Sequence, residues 1–287
     1  MKTNYAAFKK KVWNHYAKEK RVFPWRETRD PYKILVSEIM LQQTQADRVV
    51  AKYNSFLKKW PTAKKLASAD LRDVLAEWSG LGYNRRGKNL WLLAQSVVAD
   101  YKGKIPDTAE ALQKLPGIGP YTARAIMAFA YNKSFPLIET NIRAVYIYSF
   151  FNNPGKDESQ QKSKTSQQPT ALNKISDDAL FPLIEKTLDD KNPREWYYAL
   201  MDYGSYLKKQ KLSTNVRHSS YKKQATFKGS IREARGAIMR NLIESRMTLK
   251  KIQEKIKLPQ DRIATALAAM EKEGIIVKNG TYYSISA

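Results

Sequence analysis

From residue 4 to residue 207 the chain is a succession of short segments with apolar residues at helical spacing, cut by Pro and Gly, with almost no strand-like alternation. That pattern leaves little room for anything but a domain of many short helices packed on one another. Helices are expected over Asn4–Lys20, from Asp30-Pro31 through Leu41, and over Arg48–Lys58, Asp70–Trp78, Arg86–Tyr101 and Thr108–Lys114. Others follow over Tyr121–Tyr131, Thr140–Phe151, Asp177–Leu188 and Arg194–Tyr203. Asp30-Pro31 is a strong start, because an Asp can cap the first turn and Pro fits the first helical position. Residues 153–174, rich in Ser, Gln, Lys and Asn, read as a flexible surface insert within a domain spanning 1–207.

Beyond a basic linker at 208–229 the pattern changes. Arg232–Ser245, Thr248–Lys257 and Pro259–Glu273 read as three helices. Ile275–Val277 and Thr281–Ile285 flank Asn279-Gly280, a favoured two-residue hairpin turn. Residues 230–287 therefore resemble a winged-helix module, whose third helix is the usual major-groove reader. Protein contact or packing is the competing role for such a module. The expected fold class is all-α, with this small module at its C-terminal end.

Fifty-one Lys and Arg against 27 Asp and Glu give a net charge of +24, the footprint of a polyanion binder, most often nucleic acid. Cysteine is absent, which excludes disulfides, thiolate zinc sites and cysteine-ligated iron–sulfur clusters. With only His15 and His218, a histidine-built metal site is not expected either. No stretch approaches the roughly 20 apolar residues of a membrane span, and the first residues carry no long apolar signal core. The expectation is an intracellular protein, of the cytoplasm or nucleoid, with no membrane partner. Nothing in the sequence asks for oligomerisation, so a monomer is expected.

Leu115-Pro116-Gly117-Ile118-Gly119-Pro120-Tyr121-Thr122-Ala123 lies between two helical segments. Two glycines one residue apart make a tight turn whose backbone N–H groups can cradle a phosphate at a helix start. Such a contact positions a duplex without reading its sequence. The full string matches the helix-hairpin-helix motif of DNA repair proteins.

Phe23-Pro24-Trp25-Arg26, Asp30-Pro31-Tyr32 and Val36-Ser37-Glu38-Ile39-Met40-Leu41-Gln42-Gln43-Thr44-Gln45 resemble the start of MutY-type adenine DNA glycosylases. Gly80-Leu81-Gly82-Tyr83, Arg85-Arg86-Gly87-Lys88-Asn89-Leu90, the hairpin, and Pro136-Leu137-Ile138-Glu139-Thr140-Asn141-Ile142-Arg143 continue the likeness in order. It covers roughly residues 5–207 and implies the two-lobed helical fold of the endonuclease III-like superfamily. The resemblance implies that Glu38 protonates the purine leaving group and that Glu139 stabilises the cationic sugar. It places Tyr121 where lyases carry Lys, so a Schiff-base nucleophile is not expected. Asn141 matches a residue supporting the second carboxylate, and Gln42 and Tyr83 match residues that wedge into the duplex. The implied DNA surface comprises Arg26, Gln42, Gln43, Tyr83, Arg85, Arg86, Lys88, Gly117, Ile118, Gly119 and Thr122. A monovalent cation at the Gly117–Gly119 hairpin is also suggested by the resemblance, and no other cofactor is expected.

The chemistry supports the carboxylate pair. Breaking an N-glycosidic bond needs a proton on the leaving base and negative charge near the developing cation. The two groups must differ in their hold on a proton. Glu38 lies mid-helix among Val36, Ile39 and Met40, where burial would keep it protonated. Glu139 precedes the Thr140 helix, whose positive end favours its ionised form. Taken singly, without the motif, Glu38 reads rather as a solvent-facing helix residue and Glu139 as a cap.

The sequence departs from the family in three places. Glu139 is one methylene longer than the usual Asp. The four cluster cysteines are missing, and 208–229 carries Lys208, Lys209, Lys211, Arg217, Lys222, Lys223 and Lys228 instead, side chains suited to phosphate contacts. The domain that inspects oxidised guanine has no match. The expected function is hydrolytic excision of adenine opposite G or 8-oxoguanine in double-stranded DNA, without strong lyase action. Excision of T or U opposite G, and DNA binding with weak catalysis, are the alternatives.

Overall fold

The computed structural model describes residues 4–151, 174–212, 218–219 and 226–286. It is largely helical, with one three-stranded sheet, and it divides into two units. In chain order the elements are α1 (Tyr5–Glu19), a 3-10 turn at Pro24–Arg26, α2 (Pro31–Leu41), α3 (Ala46–Lys59), α4 (Ala63–Ala67), α5 (Leu71–Trp78) and α6 (Arg85–Tyr101). Next come α7 (Ala109–Gln113), α8 (Pro120–Tyr131), α9 (Thr140–Phe151), α10 (Asp177–Thr187) and α11 (Pro193–Lys209). The chain ends with α12 (Ile231–Glu244), β1 (Met247–Thr248), α13 (Leu249–Lys255), α14 (Gln260–Lys272), β2 (Ile276–Asn279) and β3 (Tyr282–Ile285). The helices fall close to their expected positions. The five-residue α4 and two-residue β1 were not foreseen, since neither is long enough to show a period.

One unit takes Met1–Val22 and Met127–Lys223, and so holds α1 and α9–α11. Its core is aromatic: Phe8 packs on Tyr146, Phe150 and Trp196, and Trp13 on Trp196. Two polar ties secure α1 to α11. The Tyr16 hydroxyl donates to Glu195, and Arg21 pairs with Asp202, which is buried. In α11, Gly204 is indispensable for contact, because a Cβ there would strike the backbone of Asn141 and stand 2.7 Å from its Cβ.

The other unit takes Phe23–Ile126 and Gln224–Ala287. Local caps set its helix starts: the Asp30 carboxylate accepts from Tyr32 N–H, Thr108 from Ala111 N–H and Thr248 from Lys251 N–H. The sheet has the order β1-β3-β2, antiparallel, with Thr248 opposite Tyr282 and Asn279 opposite Tyr282. With α12, α13 and α14 this is the winged-helix arrangement read from the sequence.

The module is not a loose appendage. Leu71 and Leu75 of α5 belong to the same buried cluster as Ala234, Ile238, Leu242 and Met270. Lys88 of α6 donates to the carbonyls of Glu273 and Gly274 at the end of α14. Burial of Leu75 at this seam makes its truncation costly, about 2–5 kcal/mol for Leu75→Ala. The loss should appear as one cooperative shift of helical and module signals in thermal melts; separate melting of the module would refute the shared core.

Candidate active site and DNA surface

Glu38 stands in the last turn of α2, a helix whose Ile34, Leu35, Val36, Ser37, Ile39 and Met40 are buried. Glu38 itself is half-buried. Immediately beyond α2 the chain turns through Gln42–Gln45, where Thr44 N–H donates to Leu41 C=O. Gln43 is exposed and left-handed, at φ +55°. In the loop joining α5 to α6, Tyr83 shares both properties, at φ +49°. A non-glycine residue in this region is strained and persists only where its surroundings hold it.

Arg86 does the holding. Its guanidinium donates to the carbonyls of Ile39 and Met40 at the end of α2, to Thr44 Oγ1, and to the carbonyls of Leu81 and Gly82. It also lies 5.4 Å from the Trp78 ring centroid and 5.5 Å from that of Tyr83. Burial pushes this guanidinium down to about 10, which leaves it charged at neutral pH. Trp78 Nε1–H donates to Gly82 C=O, and Gly87 lets α6 reach the Trp78 ring, where a Cβ would come within 2.8 Å.

The hairpin between α7 and α8 follows the expected pattern in part. Gly117, at φ +81°, is exposed and has room for no Cβ, because Asn89 of α6 would lie 2.9 Å away. Gly119 is exposed, and its carbonyl accepts from Ala123 N–H to begin α8. Gln42 Nε2 donates to Thr122 Oγ1, tying the loop after α2 to α8. Tyr121 is half-buried in the first turn of α8.

In the other unit, Glu139 is the residue before α9. Its Oε1 accepts from the N–H groups of Asn141 and Ile142, both at 2.9 Å, and its Oε2 from Asn141 Nδ2 at 3.2 Å. The cap reading of Glu139 is thus realised in the structure. Three donors favour the ionised form, yet burial outweighs them and holds the Glu139 carboxyl above the usual range. That corrects the expectation that the helix end alone would settle its charge. Tyr197 of α11 steadies the approach, donating to Phe135 C=O and accepting from Leu137 N–H. Arg143, one turn on, forms a two-pronged pair with Asp177, whose Oδ1 is 3.0 Å from Nε2 of buried His218. The Arg143 guanidinium holds the Asp177 carboxyl below its ordinary range.

Four residues expected on the DNA surface are turned inward. Arg86 is the brace just described, and Lys88 is committed to the end of α14, because each head group finds free carbonyls at a helix end. Ile118 is buried and its N–H donates to Leu115 C=O within the turn. Thr122 is buried and receives Gln42. Gln43, Tyr83, Arg85, Gly117 and Gly119 remain exposed, and Arg26 and Gln42 half-exposed. Of the basic residues at 208–229, Lys208, Lys209, Lys211 and Lys228 are exposed, whereas Arg217, Lys222 and Lys223 lie outside the described residues. The insert at 153–174 also lies outside them except for Lys174. Gly204 and Asn89 escaped the sequence reading. A glycine inside α11 was the available signal, since it costs about 1 kcal/mol relative to Ala and asks for a packing reason.

Two measurements test this geometry. Arg86→Lys replaces a planar five-donor fork by one ammonium and should cost about 1–3 kcal/mol in denaturant unfolding; an unchanged midpoint would contradict the brace. A carboxyl raised by burial stabilises the fold below its unfolded value, about 4.5, and loses that contribution as pH rises through its folded value. Glu139→Gln cannot ionise, so its melting temperature should fall less than the parent's between pH 4.5 and 8.

Residues 36–169 match the family model described as HhH-GPD superfamily base excision DNA repair protein. The chain is 46% identical over 131 residues to an adenine DNA glycosylase of Mycobacterium tuberculosis, covering 45% of this chain and 43% of that protein. To an adenine DNA glycosylase of Homo sapiens it is 36% identical over 208 residues, covering 69% of this chain and 35% of that one. The chain thus spans less than half the length of these curated relatives. Among solved structures, a thermostable thymine-DNA glycosylase superposes with a TM-score of 0.57 at 27% identity, covering 70% of this chain and 86% of that one. An endonuclease III in a trapped covalent intermediate with DNA gives 0.55 at 15% identity, covering 70% and 84%, a likeness of fold alone. Residues 36–169 thus carry the HhH-GPD domain of base excision DNA repair proteins.

Proposed function

We propose that this protein is a monofunctional DNA glycosylase that hydrolyses the N-glycosidic bond of an adenine flipped out of a mispair with G or 8-oxoguanine. The observation that carries the reading is the string from Ser37 to Gln45, shared with the MutY-type enzymes. It ends a buried helix and runs into a loop held by Arg86. The partner is double-stranded DNA, approached by an intracellular monomer. No iron–sulfur cluster takes part, because the chain has no cysteine to ligate one.

Flipping the base costs unstacking, and half-exposed Gln42 with strained, exposed Tyr83 are suited to fill the gap it leaves. Glu38 gives its proton to the purine, and the bond's electron pair leaves with the base. Glu139, fixed by its three donors, places negative charge near the sugar cation. Water then adds to the sugar and gives up a proton. Tyr121 supplies no amine for a Schiff base, so the strand stays intact until alkali cleaves it.

A second reading, excision of T or U opposite G, draws on the likeness to the thymine-DNA glycosylase. Single-turnover incubation with duplexes holding A:8-oxoG, A:G, T:G and U:G, followed by alkali, separates the two. Product from the adenine duplexes is expected, and product from T:G alone would reverse the assignment. Glu38→Gln should slow base release by about 10²–10⁴-fold while leaving duplex affinity nearly intact. An unchanged rate would remove Glu38 from the role of acid.

A further inference from the structure

The winged module carries its charge on an unexpected face. Helix α14 occupies the place of the major-groove reader, and its exposed side offers Gln260, Asp261, Ala264, Thr265, Ala268 and Glu271 together with Arg262, which lies 3.7 Å from Asp261, and Lys272. The helix as a whole has two basic and two acidic residues, with Asp261 at the end such helices direct towards bases. It presents phosphates with no net attraction. From Arg246 to Lys257, by contrast, five basic residues stand against one acidic residue. Lys278 on β2 adds a further cation, on the sheet face of Tyr283, whereas Arg246 lies on that of Tyr282. β3 lies between β1 and β2, with Met247 and Lys278 both opposite Tyr283, so the flanking strands are about 10 Å apart.

Arg246, Lys250, Lys251 and Lys278 are all exposed, and none forms an ion pair with a described carboxylate. The Arg246 guanidinium sits 4.8 Å from the centroid of Tyr282, itself 42% exposed, and Lys278 Nζ 5.6 Å from that of Tyr283. The rings restrain two long side chains in advance of binding, which lowers the ordering cost of a contact. This edge is also fixed relative to the helix-hairpin-helix. Lys88 clamps the end of α14 and its neighbour Asn89 abuts Gly117 of the hairpin, all within one unit.

We infer that the wing and the β1–α13 edge, through Arg246, Lys250, Lys251 and Lys278, form a second grip on the backbone of duplex DNA, and that α14 does not read the groove. The inference rests on the glycosylase reading only in taking duplex DNA as the ligand. The grip gives affinity without base selection.

The test uses the full chain and an undamaged duplex of about 30 base pairs, with affinity followed against salt. A variant combining Arg246→Ala, Lys250→Ala, Lys251→Ala and Lys278→Ala should lower the slope of log affinity against log salt by about 3, and weaken binding at least ~10-fold at low salt. Arg262→Ala with Lys272→Ala on α14 should change the slope by less than about 1. Lys250→Glu with Lys251→Glu gives the same readout should the fourfold variant fail to fold. An unchanged slope in the wing variants, or a larger loss from the α14 pair, overturns the proposal. Because no catalysis is needed, loss of slope supports the grip even if no duplex releases a base. Normal base release with an unchanged slope refutes the grip alone.

Discussion

The unit that carries Glu38 depends on one half-buried guanidinium. Arg86 gathers the last carbonyls of α2, Thr44 beyond it, and the carbonyls of Leu81 and Gly82. A helix end leaves several carbonyls without partners, and a loop with two positive-φ glycines has little rigidity of its own. A fixed fork of donors satisfies both at once, where Lys could not. The strained backbones of Gln43 and Tyr83 are consequences of that tie, because neither loop would hold such a conformation alone. Trp78 and Gly87 complete the support by letting α6 approach closely enough for Arg86 to reach.

The unit that carries Glu139 uses backbone donors and close packing. Asn141 and Ile142 fix the carboxylate, Gly204 lets α11 press on Asn141, and Tyr197 fixes the chain leading in. The extra methylene of Glu139 does not prevent capping, since one oxygen reaches two N–H groups at 2.9 Å. Burial has a cost that the donors do not fully offset, and the carboxyl holds its proton more tightly than in water. A group poised between these influences can respond to a cation formed beside it, which would favour its ionised state.

Much of this was legible in the sequence, and what was not has definite reasons. Helix positions followed from apolar period and from the Asp30 cap, while Thr108 and Thr248, expected as first helical residues, are the caps just before their helices. The hairpin showed in Gly117-Ile118-Gly119, and the winged arrangement in three helices and Asn279-Gly280. What composition hides is direction. Arg86 and Lys88 share the appearance of Arg85, a basic residue at the start of α6, yet only Arg85 faces out. Which side of a helix meets carbonyls from distant segments is a tertiary fact. Ile118 and Thr122 illustrate the same limit, with the turn exposing glycine backbone and burying its side chains.

A chain without cysteine cannot anchor the segment after α11 through thiolate ligands. His218 offers a different anchor. It is buried against Asp177, which Arg143 already holds by two bonds, and Ser219 N–H donates to Ile175 C=O beside it. Residues 218–219 are thus tied through Asp177 to Arg143 of α9, a single turn from Glu139. Partly exposed ion pairs of this kind add little net stability. Their value lies in fixing one arrangement, which the proposed action of Glu139 on a short-lived sugar cation would require.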